Sequence, residues 1–155
     1  MIKVFLVEDE PIIRKGIRDN IDWAANGFQF VGEGGDGEYA YPLILETEPD
    51  ILVTDVKMPF MDGLELSRLV KKALPDIKIV ILSGYNEFDY AKEAIKMGIS
   101  DYILKPVTSA ALVEALKRVA DTIREERERE KLLERYFASY KKYTEFLDQT
   151  DYRGV

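Results

Sequence analysis

The stretch ILVTDVKMPFMDG, Ile51 to Gly63, decides how the rest of the chain is read. Four apolar or β-prone residues lead into Asp55, and the chain then breaks into a loop marked by Pro59 and Gly63. An apolar run closed by turn formers is the pattern of a buried strand. Asp55 therefore stands at the carboxyl end of a strand, the edge where open α/β sheets place their ligands. A carboxylate there can serve as a nucleophile, a metal ligand or a helix cap, and the residues around it must decide between these.

Composition narrows the chemistry. The 155 residues suffice for one domain with a real core and leave room for an extension, and the balance of 46% hydrophobic to 33% charged residues is ordinary for a globular protein. There is no cysteine and no histidine. Disulfides, thiolate chemistry, imidazole bases and zinc sites built on His or Cys are thereby excluded. Carboxylates, hydroxyls and lysines remain, a set that suits Mg²⁺ and phosphate. The opening apolar run is too short for a signal peptide or a membrane span, so a cytoplasmic protein with no membrane partner is expected. The net charge of −7 argues against nonspecific nucleic-acid binding.

Outward from Asp55, the chain alternates strand and helix. Ile2 to Val7 is a strand, followed at once by Glu8, Asp9 and Glu10. Pro11 opens a helix, where its missing N–H costs nothing, and Ile13, Ile17 and Ile21 share one face. A short strand is expected at Gln29 to Glu33. The glycine-rich loop Gly34 to Gly37 lacks the spacing of a nucleotide-binding loop. The next helix, Glu38 to Thr47, should turn Tyr39, Leu43 and Ile44 inward. Pro42 disturbs it, which predicts either a late start near Tyr41 or a kink. Asp62 caps a helix carrying the stripe Leu66, Leu69, Val70, Ala73 and Leu74. A fourth strand, Ile77 to Leu82, ends in Ser83-Gly84. A helix from about Asn86 to Met97 packs through Phe88, Ala91 and Ile95, and Gly98 stops it as a left-handed cap. Asp101 to Leu104 is a fifth strand, before Lys105-Pro106. Five β-α units predict a doubly wound parallel sheet with helices on both faces.

The last segment has no breaker between Ser109 and Gly154. Leu112, Leu116, Val119 and Ile123 form a stripe able to cover a sheet. Arg124 to Lys131 is wholly charged, with four basic and four acidic residues and an expected Glu125–Arg129 pair. Apolar residues then return at Leu132, Leu133, Tyr136, Phe137, Tyr140, Tyr143, Phe146 and Leu147. A helix over 109–147 would be about 58 Å long, too long for the domain to cover. The expected division is a domain over 1–123 and a helical extension or linker over 124–155. Its aromatic stripe makes a homodimer through the C-terminal helix an expectation; the competing one is a linker that frays or folds back.

The chemically useful residues all fall at strand ends: Glu8 and Asp9, Asp55, Ser83 and Lys105. In a parallel sheet these ends share one edge. Converging carboxylates repel unless a cation sits among them, and an all-oxygen site suits Mg²⁺. Each residue alone also has an ordinary reading: Glu10 as charge at a helix start, Asp55 as a loop aspartate, Ser83 as a cap, Lys105 as a solvated lysine. Their occurrence together at four strand ends favours a phosphoryl site.

At this point the sequence resembles the receiver domain of two-component response regulators. The motifs that carry the likeness are FLVEDE, TDVKMPFMDG, ILSG and DYILKP, and the likeness covers residues 2 to about 123. The fuller wording, with IDWAANGF and LSGYNEFDYAKEAI, is similar to the subgroup usually fused to AraC-type DNA-binding domains. The resemblance implies a CheY-like, flavodoxin-like sheet of strand order 2-1-3-4-5. It implies Asp55 as the acceptor of a phosphoryl group from a sensor histidine kinase, with slow self-catalysed dephosphorylation. Asp9 would ligate Mg²⁺, Glu8 would do so directly or through water, and Lys57 would offer its backbone carbonyl. Ser83 and Lys105 would each hold a phosphoryl oxygen, Tyr102 would be an aromatic switch following Ser83, and Lys105-Pro106 would be cis.

Three departures stand out. Glu8 replaces a commoner aspartate, Pro42 disturbs the second helix, and nothing after residue 109 resembles a helix-turn-helix. The chain is then expected to be a receiver taken from a longer regulator or a stand-alone receiver, binding no DNA by itself. The competing readings are a degenerate receiver acting as an interaction module, an aspartyl phosphohydrolase and a flavodoxin-like cofactor binder. The hydrolase would want an acid where Lys57 stands, and the cofactor binder a phosphate loop where acids follow the first strand.

Overall fold

A computed structural model describes residues 1–84 and 88–154. Five strands form one parallel sheet: β1 (Ile2–Val7), β2 (Phe28–Gly34), β3 (Ile51–Asp55), β4 (Lys78–Ser83) and β5 (Asp101–Leu104). Their order is β2-β1-β3-β4-β5, as the resemblance implied. The helices are α1 (Pro11–Asn20), α2 (Gly37–Thr47), α3 (Gly63–Ala73), α4 (Phe88–Lys96) and α5 (Ser109–Gly154). The chain divides into two compact units, Met1–Val119 and Ala120–Val155.

Strand alternation sorts the core of the first unit. Phe5, Val7, Leu52, Ile79 and Ile81 pack in one cluster with Ala40 and Ile44 of α2 and Leu64, Leu66 and Val70 of α3. Their neighbours Val4, Leu6, Val53, Val80 and Leu82 are equally buried and point to the opposite face. Ile17 of α1 and Leu112 and Leu116 of α5 are buried outside that cluster. Helices thus cover both faces, and the strand ends lie at the edge of the sheet.

Several local expectations need correction. The helix α2 does not start late: Asp36 caps it by accepting from the Tyr39 N–H at 2.7 Å, and Pro42 lies inside it. Pro42 is exposed, so water can reach the helix carbonyl that proline leaves without a donor. Ile44 is buried and Leu43 packs against the core as expected, whereas Tyr39 is 63% exposed and Ala40 is buried in its stead. In α3, Leu69 and Ala73 are exposed and the buried stripe runs through Leu64, Leu66, Ser67 and Val70. In α4, Ala94 is buried and Ile95 is 70% exposed. The strand β2 runs two residues beyond its expected span in total, from Phe28 to Gly34. The expected helix start at Asn86 lies outside the described residues, as do the side chains of Phe88 and Tyr152. Asp62 caps α3 through Glu65 N–H at 2.8 Å, and Gly98 has a positive φ of 76°, both as expected.

The second unit is helical throughout its described length. Leu132, Leu133, Tyr136, Phe137, Tyr140, Tyr143, Phe146 and Leu147 are all exposed. The Glu125–Arg129 pair is not among the ion pairs of the described residues, where Arg124 reaches Asp121 at 3.4 Å. Among the described residues, no helix is long and apolar enough to cross a membrane.

Candidate functional site

Sheet register brings the candidate residues together. Val7 pairs with Thr54, so Glu8 and Asp55 follow side by side where the strand order reverses between β1 and β3. Asp55 pairs with Leu82, which sets Ser83 one step beyond, and Ser83 pairs with Leu104, which sets Lys105 one step beyond that. Residues separated by about a hundred positions in the chain become neighbours through this staircase.

The acids form one cluster. Glu8, Asp9 and Asp55 each offer a carboxylate oxygen, and these atoms lie within 4.8 Å of one another. Glu8 is fully buried and Asp55 nearly so, while Asp9 is half-buried. The Lys105 ammonium donates to Asp55 Oδ2 at 2.9 Å and to the two Glu8 oxygens at 3.2 and 3.3 Å. Lys57 is exposed, on the loop after Asp55. Lys105-Pro106 is cis. At the fourth strand end, the Tyr102 hydroxyl donates to Ser83 Oγ, and Ser83 Oγ donates to the Gly84 carbonyl at 3.2 Å.

One lysine cannot neutralise this concentration of acid. Burial, reinforced by the Asp55 charge and a hydrogen bond to Asp55, pushes Glu8 up to about 8. Burial also raises Asp55, although bonds from Lys105 and Glu8 pull against the shift. Burial would lower Lys105, but its bonds to Asp55 and Glu8 and their charges prevail and raise it. A buried carboxyl that holds its proton into the neutral range marks a site short of positive charge. A hard divalent cation with oxygen preference fits this donor set.

Three contributors were not legible beforehand. Arg14 donates from Nη1 to the Glu8 carbonyl at 2.7 Å, and its Nε lies 3.5 Å from Glu33. Arg18 holds the same Glu33 oxygen at 2.8 Å. This group braces the loop that presents Glu8 and Asp9. In the sequence Gly63 marks only a turn, yet a Cβ there would overlap the Asp55 carbonyl oxygen and stand 2.9 Å from its carbonyl carbon. The Gly63 N–H donates to Val56 O at 2.7 Å, so α3 begins directly against the backbone at the end of β3. Phe60, on the same loop, has a positive φ of 71° and is 84% exposed.

The sequence pattern of the response regulator receiver domain matches residues 4–117. The chain belongs to that family. This receiver is 41% identical over 119 residues to the transcriptional regulatory protein YesN of Bacillus subtilis, an alignment covering 77% of this chain and 32% of YesN. It is 37% identical over 126 residues to the transcriptional regulatory protein HptR of Staphylococcus aureus, covering 81% and 49%. The chain thus spans about a third to a half of the length of these curated relatives. Among solved structures, it resembles the REC domain of AraT, a response regulator from Geobacillus stearothermophilus. The TM-score is 0.76 at 41% identity, over 81% of this chain and 97% of that one. A two-component transcriptional regulator AraC from Clostridium phytofermentans gives 0.75 at 35%, over 82% and 98%. The receiver fold and its acidic edge therefore come with a family in which phosphorylation and Mg²⁺ are general.

Proposed function

We propose that this receiver accepts a phosphoryl group from a sensor histidine kinase on Asp55, and that the phosphorylated form switches an output that lies outside this chain. The observation that carries the reading is the Glu8–Asp9–Asp55 cluster with Lys105 at 2.9 Å from Asp55. An Asp55 oxygen would bond to phosphorus in line as the P–N bond of the phosphohistidine breaks and its electron pair stays with the imidazole. Lys105 would pair with one phosphoryl oxygen and the Ser83 hydroxyl would donate to another. Asp9 and Glu8, with Asp55 and the Lys57 backbone carbonyl, would hold Mg²⁺, which when bound offsets charge on the phosphoryl oxygens. Tyr102, already bonded to Ser83, would carry the Ser83 movement to the surface. Hydrolysis of the acyl phosphate by the same site would be slow.

The working division is a receiver over 1–123 and a helical extension over 124–155. YesN and HptR are named as transcriptional regulatory proteins, and a transcriptional output is the corresponding expectation for the longer protein. Incubation with acetyl phosphate and Mg²⁺, read by intact-protein mass spectrometry, tests the acceptor. One labile phosphoryl adduct is expected, absent in Asp55→Asn and after chelation. Equal labelling of Asp55→Asn would overturn the assignment.

A further inference from the structure

We propose that the exposed seam of α5 is a self-association surface whose occupant is the same seam of a second copy of this chain, running antiparallel about Tyr140. Leu133, Tyr136, Tyr140, Tyr143 and Leu147 recur at intervals of three, four, three and four residues, which puts them on one line of the helix. All five are exposed, from 38% at Leu147 to 64% at Tyr136. Phe137 flanks the line, edge-on to Tyr136 with ring centroids 5.8 Å apart. Exposed surface on the aromatic members alone amounts to several hundred Å² at the roughly 200 Å² an aromatic side chain can bury. With the leucines, the seam approaches the roughly 800 Å² per partner of a stable interface.

Charge selects the occupant. The seam carries no ionisable acid or base other than tyrosine, and the intervening residues set Glu134 and Glu145 against Arg135, Lys141 and Lys142, a balance within one charge of neutral. A basic or acidic partner has nothing to pair with in this balance. A membrane surface would call for a polar face rich in Lys and Arg. Two identical near-neutral helices meet without repulsion.

Order along the seam selects the direction. Read either way it is Leu-Tyr-Tyr-Tyr-Leu, so an antiparallel pair matches Leu133 with Leu147, Tyr136 with Tyr143, and Tyr140 with itself. A parallel pair extends the same line back to Arg129 and Glu126, stacking each against its own like charge. The antiparallel pair separates those layers.

The test uses the full chain, whose lack of cysteine makes introduced thiols unambiguous. Sedimentation at tens of micromolar should show a dimer, and Tyr140→Glu should weaken association by about tenfold or more while leaving the receiver's thermal unfolding unchanged. Asp55→Asn should dimerise like the parent, which separates this proposal from the phosphoacceptor reading. Under oxidation, a mixture of Leu133→Cys and Leu147→Cys chains should form the mixed disulfide in preference to Leu133→Cys with itself. A monomer in the parent chain, an unaffected Tyr140→Glu, or efficient self-coupling of Leu133→Cys would each overturn the proposal. So would a parent chain that stays monomeric and binds anionic vesicles instead.

Discussion

Two regions of this chain concentrate charge and treat it in opposite ways. At the strand ends, Glu8 and Asp55 are buried around Lys105, with contacts of 2.9 to 3.3 Å. From Arg124 to Lys131 eight charged residues in succession stand in water. Exposed pairs contribute little, since solvent already satisfies them. Buried carboxylates lose hydration that one lysine does not replace, and the protein tolerates that cost only where the unbalanced charge has a use. Charge density alone therefore marks nothing; charge held against its own solvation marks the site.

The largest expected effect comes from breaking the frame of the buried region without touching its charges. Gly63→Ala drives a methyl group into the Asp55 carbonyl, backbone against backbone, with no flexible side chain to yield. Destabilisation of at least about 3 kcal/mol is expected, read as a fall in Tm or in the urea midpoint. Tolerance within experimental error would show that α3 can pull away from β3.

Neutralising the buried acid should act in the other direction. Glu8 keeps its proton up to about 8 in the folded chain, against 4.5 ordinarily. The folded state binds more protons than the unfolded state across that window. Stability, measured in chelator, is therefore full below pH 4.5 and declines as pH rises toward 8. The decline should be on the order of 3 kcal/mol. Glu8→Gln should flatten the profile and raise stability at pH 8, while weakening Mg²⁺ binding followed by calorimetry. A parent profile that rises over this window would contradict the burial argument.

Arg14→Ala removes the donor to the Glu8 carbonyl and one partner of Glu33. A loss of about 1 to 2 kcal/mol is expected, with a several-fold weaker Mg²⁺ affinity that Arg14→Lys partly restores. An equal stability loss with unchanged Mg²⁺ affinity would make Arg14 a structural brace only. At the exposed end of the comparison, Arg129→Ala should change stability by less than about 0.5 kcal/mol. A larger change would mean that the tail's charge is not simply solvated.

Much of this was legible in the sequence because strand ends announce themselves. An apolar run that stops at an acid, a serine or a lysine fixes both the element and the edge, and parallel order then brings the edge residues together. Helix phase was harder to read. In α2, Ile44 is buried and Leu43 packs against the core as expected, but Ala40 rather than Tyr39 takes the remaining inward position, a choice of phase that only packing makes. Ile95 failed in the same way: an apolar residue on an amphipathic helix, turned outward beside buried Ala94. Arg14 and Gly63 act through the backbone of residues they are not paired with by any motif. Nothing local distinguishes a glycine needed for a turn from one needed because another chain segment passes within contact.

Trapping the phosphoryl adduct in place tests most directly whether Asp55 is the residue that takes the phosphoryl group. The chain would be phosphorylated with acetyl phosphate and Mg²⁺, reduced with borohydride and mapped by peptide mass spectrometry. An aspartyl phosphate at Asp55 should be converted to homoserine at position 55 and at no other acid. Homoserine at position 9, or an adduct that resists borohydride, would contradict it.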